Sequence, residues 1–207
     1  MDVKDRIPGR DAVRQKGWLA AHQWLLLRRL SQLGILGLFL IGSWFGISIV
    51  KGSLASSLVL DALPLSDPYV LLQSLVAGNW PELTGFLGAV IVLLFYLVVG
   101  GRAYCSWVCP VNPVTDAAEW LRRRLGIRAT TGLSRSSRYW LLGATLVAAL
   151  TSGTVAWELV NPVSAVFRGL VFGMGVAWGL LAAVFLLDLL ISRRAWCGHL
   201  CPVGAFY

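Results

Sequence analysis

The cysteines of this 207-residue chain number four, and they fall in two matching Cys-x-x-x-Cys-Pro blocks, Cys105 to Pro110 and Cys197 to Pro202. The match extends outward. Arg102-Ala103-Tyr104 precedes the first block and Arg194-Ala195-Trp196 the second, while Val111 and Val203 follow the prolines. In a helix, residues i and i+4 share a face, so each block points two thiols at a common target. The proline stops or kinks the helix and leaves carbonyls near the site. Four thiolates at one depth match the ligand count of a tetrahedral sulfur site, which suits iron–sulfur or zinc.

Other readings of the cysteines explain less. An i,i+4 helical pair is poorly placed for a disulfide, and the charge pattern below puts the blocks on a reducing side. Structural zinc sites favour closer spacing in small soluble modules. Unliganded cysteines pack as small hydrophobes, but that gives no reason for two copies of one pattern with no cysteine elsewhere. His199 lies inside the second block, where it can ligate a metal, donate to a cluster sulfur or carry a proton. Its counterpart in the first block is Trp107, so the repeat favours an outer role over ligation. Asp188 and Glu158 are the other ionisable groups close to apolar segments. Asp188 and His199 are the candidate proton carriers.

These residues need elements to hold them, and composition says which kind. Hydrophobic residues make up 57% of the chain and charged residues 14%, too few charges for a water-soluble exterior. Four stretches approach the roughly 20 apolar residues that cross a bilayer as a helix, near 30–50, 83–99, 139–157 and 170–191. The expected fold is therefore an all-α membrane protein of four transmembrane helices, arranged as two repeated helix pairs that each end in a cysteine block. An amino-terminal segment 1–29 with an interfacial helix, a membrane domain 30–191 with a loop 100–138, and a terminal motif 192–207 complete the expected organisation. Trp18, His22, Leu25 and Leu26 fall near one face of the interfacial helix. In the connection 51–82, Asp67-Pro68 reads as the cap and first residue of a short helix lying on the outer surface.

The net charge of +8 is unevenly spread. Basic residues cluster before the first stretch (Lys4, Arg6, Arg10, Arg14, Lys16, Arg28, Arg29), between the second and third (Arg102, Arg122, Arg123, Arg124, Arg128, Arg135, Arg138) and after the fourth (Arg193, Arg194). The other two connections hold Lys51 and Arg168. The positive-inside bias then predicts that both termini, the central loop and the cysteine blocks face the cytoplasm. Orientation and lipid headgroups account for the basic residues, and nucleic acid is not needed as a partner.

The stretches CSWVCPVNPVTD, WCGHLCPVGAFY, SDPYVLLQSL and GWLAAHQWLLLRRL closely resemble the NapH family, the membrane-bound quinol dehydrogenase subunit of periplasmic nitrate reductase systems. The resemblance implies a multi-pass protein of the bacterial inner membrane that oxidises ubiquinol or menaquinol. Electrons would pass through 4Fe–4S chemistry to a ferredoxin-like subunit and on to the periplasmic nitrate reductase. Carried over by position, Cys105, Cys109, Cys197 and Cys201 are the cofactor and metal ligands. Members of the family continue into a ferredoxin-type extension, so a carboxy-terminally truncated member is expected here. Two rivals remain at this point. One is a non-catalytic anchor that docks a ferredoxin-like partner through Arg122-Arg123-Arg124. The other is a quinone-coupled thiol oxidoreductase.

Overall fold

The computed structural model describes residues 10–45, 50–52, 56–59, 63–100, 103–127, 132–173 and 175–207. Lys4, Arg6, Arg102, Arg128 and the end of the first expected span lie outside these residues. Helix α1 (Arg10–Lys16) meets α2 (Trp18–Phe45) at Gly17, whose φ of +78° is the left-handed conformation that glycine takes without a Cβ penalty. No proline interrupts α2, which runs 28 residues. Arg28 and Arg29 therefore sit within a continuous helix rather than ahead of one. Its stretch Trp18–Ile41 covers 24 residues, about 36 Å at 1.5 Å per residue, against a hydrocarbon core of about 30 Å.

Among the described residues, α2 is the one helix long and apolar enough to cross a membrane. This overturns the expected four membrane-spanning helices in two repeated pairs. Helix α4 (Leu83–Val99) has 17 residues. The expected third span divides into α6 (Ser137–Ser152) and α7 (Ala156–Val160), and the expected fourth into α8 (Pro162–Phe172) and α9 (Gly175–Leu190). The cause is local. Gly153 (φ +66°) and Gly173 (φ +65°) adopt the left-handed cap that ends a helix, whatever the hydropathy of the flanking window.

The chain is otherwise helical apart from a small antiparallel sheet, β1 (Val50–Gly52), β2 (Ser56–Val59) and β3 (Leu63–Ser66), in the order β1-β2-β3. Strand β3 lies along α4 at Gly88. A Cβ there would stand 2.9 Å from the Pro64 carbonyl oxygen and 3.1 Å from the Ser66 nitrogen, so only a hydrogen fits.

Helix α3 (Pro68–Val76) begins as its sequence predicts: Asp67 Oδ1 accepts the Tyr69 N–H at 2.9 Å and Pro68 opens the helix. Helix α8 repeats the device, Asn161 Oδ1 accepting the Val163 N–H at 3.1 Å ahead of Pro162. The caps share one backbone conformation, φ/ψ of −68°/119° and −69°/112°. The main buried cluster joins Tyr69, Trp157 and Val203, with Tyr104, Trp196, Phe206 and Tyr207 packed around it. Helix α5 (Asn112–Arg124) is tied to α9 by Arg122, which is buried and donates to the carbonyls of Leu189 (2.8 Å) and Asp188 (3.3 Å). It satisfies carbonyls at the end of a helix and is not part of an exposed docking surface.

Gly88→Ala is expected to cost about 1–3 kcal/mol through overlap with the β3 backbone. Gly85→Ala, whose Cβ would meet Pro81 at an ordinary 3.8 Å, serves as the control. Thermal unfolding in detergent, followed by circular dichroism, checks the difference between the two.

Candidate functional site

Each cysteine block forms a single π-helical turn, Tyr104–Val108 and Trp196–Leu200, rather than the α-helical turn its spacing suggests. The closing hydrogen bonds run five residues back, Cys109 N–H to the Tyr104 carbonyl at 3.0 Å and Cys201 N–H to the Trp196 carbonyl at 2.9 Å. Such single turns are frequent at functional sites. Beyond each turn the backbone folds back over the second sulfur. Cys109 receives backbone N–H groups from Val111 and Asn112, and Cys201 from Val203 and Gly204. N–H donors of this kind favour a thiolate over a thiol.

Different elements anchor the two turns. Ser31 and Gln32 of α2 donate to the carbonyls of Trp107 and Ser106, each at 3.0 Å. At the second turn, the buried carboxylate of Asp188 accepts the Trp196 N–H at 2.9 Å. Arg194, just ahead of Cys197, stands at φ +52°, a conformation costly for any residue with a Cβ. Its guanidinium is held by Asp116 (2.9 Å) and Glu119 (3.1 Å) of α5, and Asp116 also pairs with Arg29 of α2. The helix that follows the first block thus grips the chain entering the second.

All four cysteines line one cavity of about 450 Å³. The connections expected on the opposite side of a membrane reach it too, through Asp67 and through Trp157, Asn161, Pro162 and Val163. Arg28, Arg135, Arg138, Arg193 and Arg194 complete the wall. His199 faces the cavity with a buried Nδ1 that has no hydrogen-bond partner among the described residues, whereas Asp188 stands behind the second turn and does not line it. Asp67 and Asn161 are site residues that the cysteine pattern does not reveal. Their signal is the Asx-Pro pair that each places ahead of a helix.

None of the four cysteines forms a disulfide. Desolvation, and then the charge of neighbouring sulfurs, pushes the Cys197 thiol far up. The same burial raises Cys109 to about 12 and Cys201 to about 11, against the lowering effect of their N–H donors. Sulfurs so buried need a strongly positive partner before they ionise together. A single ion suits them poorly: zinc wants its sulfurs about 2.3 Å from one point, and among the described residues no group of three or more His, Cys, Asp or Glu is placed to hold one. Cysteines distributed around a cavity suit a cluster in which each ligand takes a separate iron.

The comparisons with known proteins agree with that chemistry. The family described as 4Fe-4S binding domain matches residues 82–128 and 174–207, which hold all four cysteines. The methylamine utilization ferredoxin-type protein MauN of Methylorubrum extorquens is 57% identical over 95% of this chain and 69% of its own length. The ferredoxin-type protein NapH of Escherichia coli is 48% identical over 100% of this chain and 72% of its own. The putative electron transport protein YccM of Escherichia coli is 28% identical over 69% of this chain and 44% of its own. No solved structure matches.

In metal-free protein the Cys109, Cys197 and Cys201 thiols are expected to stay protonated at neutral pH. Alkylation by iodoacetamide, followed by mass spectrometry, should be slow at pH 8 and rise roughly tenfold per pH unit towards the thiol pKa, because the thiolate is the nucleophile. Fast modification of Cys109 at pH 7 would contradict the desolvated cavity.

Proposed function

The chain belongs to the family of ferredoxin-type proteins that includes NapH and MauN, and on that premise we propose that Cys105, Cys109, Cys197 and Cys201 hold one 4Fe–4S cluster through which electrons from membrane quinol pass. The observation that carries the reading is the joining of both cysteine blocks in one cavity, each with paired N–H donors on its second sulfur. A cluster bound there supplies one-electron chemistry at a potential set by ligation, hydrogen bonds and burial.

The protein's own groups bind, shield and orient. Tyr104 and Trp196, each the residue before a first cysteine, pack into the aromatic core and keep that side of the cavity dry. Trp196 stacks on Trp157 at 6.3 Å, and Tyr104 on Tyr207 at 5.8 Å. Quinol, in becoming quinone, releases two electrons and two protons. The electrons leave singly, each turnover ending on a one-electron protein acceptor of ferredoxin type. Of the two candidate proton carriers, His199 stands in the cavity wall with a free Nδ1. Asp188 acts behind it, fixing the second turn through the Trp196 N–H.

In this reading the chain works at the bacterial inner membrane. Five arginines in the cavity wall follow the basic bias of cytoplasmic segments, and α2 associates the chain with the membrane. Service in a methylamine-utilisation system is one reading, with MauN proteins 57%, 56% and 48% identical and NapH proteins 48% and 49%. A nitrate reductase system is the second reading.

Iron and acid-labile sulfide analysis on anaerobically purified protein, with an electron paramagnetic resonance spectrum after reduction, tests the cluster. The expected result is iron and sulfide in equal amounts, lost in Cys105→Ser and equally in Cys197→Ser. Iron retained in both variants would break the one-cluster assignment. Protein without iron or sulfide would overturn the electron-transfer reading.

A further inference from the structure

The two caps that reach the cysteine cavity are alike in backbone and position but differ chemically. Asn161 is a neutral amide, whereas Asp67 is an acid. An N-cap works about equally well with either residue, so helix α3 has no need of a carboxyl group. Asp67 nevertheless places one beside four sulfurs. Its Oδ1 accepts both the Tyr69 N–H (2.9 Å) and the Tyr207 hydroxyl (3.2 Å). Its Oδ2 accepts no hydrogen bond among the described residues, which leaves that oxygen as a seat for a proton.

We propose that Asp67 is the group that takes up a proton when the cysteine cavity gains an electron, and releases it when the electron leaves. This rests on the cluster reading above. The balance is simple. One electron enters from the quinol-derived donor, one proton passes from a hydronium ion of the bulk solvent to the Asp67 carboxylate, leaving water, and the net charge of the cavity is unchanged. No bond other than the O–H of Asp67 forms.

The surroundings supply the coupling. Tyr69 of α3, Tyr96 of α4, Tyr104 of the first π-helical turn and Tyr207 face Asp67, and burial raises all four hydroxyls, so none of them carries charge near neutrality. The Asp67 charge also reaches Cys201, as the smallest of the influences on that thiol. Glu158 of α7 acts on it from further off and is itself paired with Arg168 at 3.4 Å. His199 and the arginines of the wall are the remaining ionisable groups. Burial first, with the Glu158 charge adding, holds the Asp67 carboxyl above the usual carboxylate range, against the lowering effect of the Tyr69 and Tyr207 hydrogen bonds. An added negative charge on the sulfurs raises it further. Between those two positions, reduction takes up a proton and the reduction potential falls as pH rises.

Redox titration with mediator dyes, followed by electron paramagnetic resonance at a series of pH values on the full chain, reads this out. Wild type should show a potential that falls with pH over a window above the usual carboxylate range. Asp67→Asn, which keeps the cap that Asn161 already demonstrates, should retain its iron and lose the slope. Tyr207→Phe should move the window to higher pH, because a hydrogen bond that favours the carboxylate is gone. An infrared titration of the carboxyl C=O band gives a second readout without any cluster, a band lost in Asp67→Asn. A pH-independent wild-type potential, or an unchanged slope in Asp67→Asn, overturns the inference with the cluster intact. A chain without iron overturns the cluster reading on which it rests.

Discussion

Sulfurs brought together in a desolvated cavity repel one another as soon as they ionise, and each element around this cavity answers that repulsion in some way. Two π-helical turns hold the cysteines in register. Paired N–H groups close over Cys109 and Cys201. Helices α3 and α8 turn their first residues, and hence the positive ends of their dipoles, toward the same space. Five arginines stand in the wall. These are fixed partial or full positive charges that need no reorganisation when the cavity charge changes. The one acid admitted, Asp67, is placed where it can lose its own charge.

Holding two sequence-distant turns at a common cavity also requires a frame. Two buried charges provide it. Arg122 closes the end of α9 from α5, and Asp188 near that same end closes the start of the second turn. A lone buried charge would be expensive, but hydrogen bonds to backbone groups turn each into a tie between specific segments. Outside them, Asp116 and Glu119 hold Arg194 in its left-handed conformation, offsetting strain of roughly 1–2 kcal/mol. The partly exposed ion pairs give geometry more than energy.

The pairing of the two cysteine blocks was legible because Arg-Ala, both cysteines, the proline and the valine recur at one spacing, and the Asp67-Pro68 helix start was legible because cap and proline are adjacent. The helix count was not. Apolar windows around 139–157 and 170–191 read as continuous, while Gly153 and Gly173 end helices through backbone conformation, which hydropathy does not register. The π-helical form of the two turns was equally hidden, since an i,i+4 pair fits either helix. Asp67 and Asn161 were missed for a different reason: charge bias assigned their segments to the far side of a membrane, whereas the fold brings them back to the sulfurs. Arg122 shows the converse. In sequence it is one of three adjacent arginines, and only burial separates it from Arg123 and Arg124.

The cavity draws on ligands that are far apart in the order of synthesis. Cys109 leaves the ribosome 92 residues before Cys201, an interval of about 5–18 s at 5–20 residues per second. The first block must pass that time as a half-site, with two thiols and no counterpart, while α2 is already long enough to enter the bilayer. A site that needs all four sulfurs can then be completed only after the second block has been made.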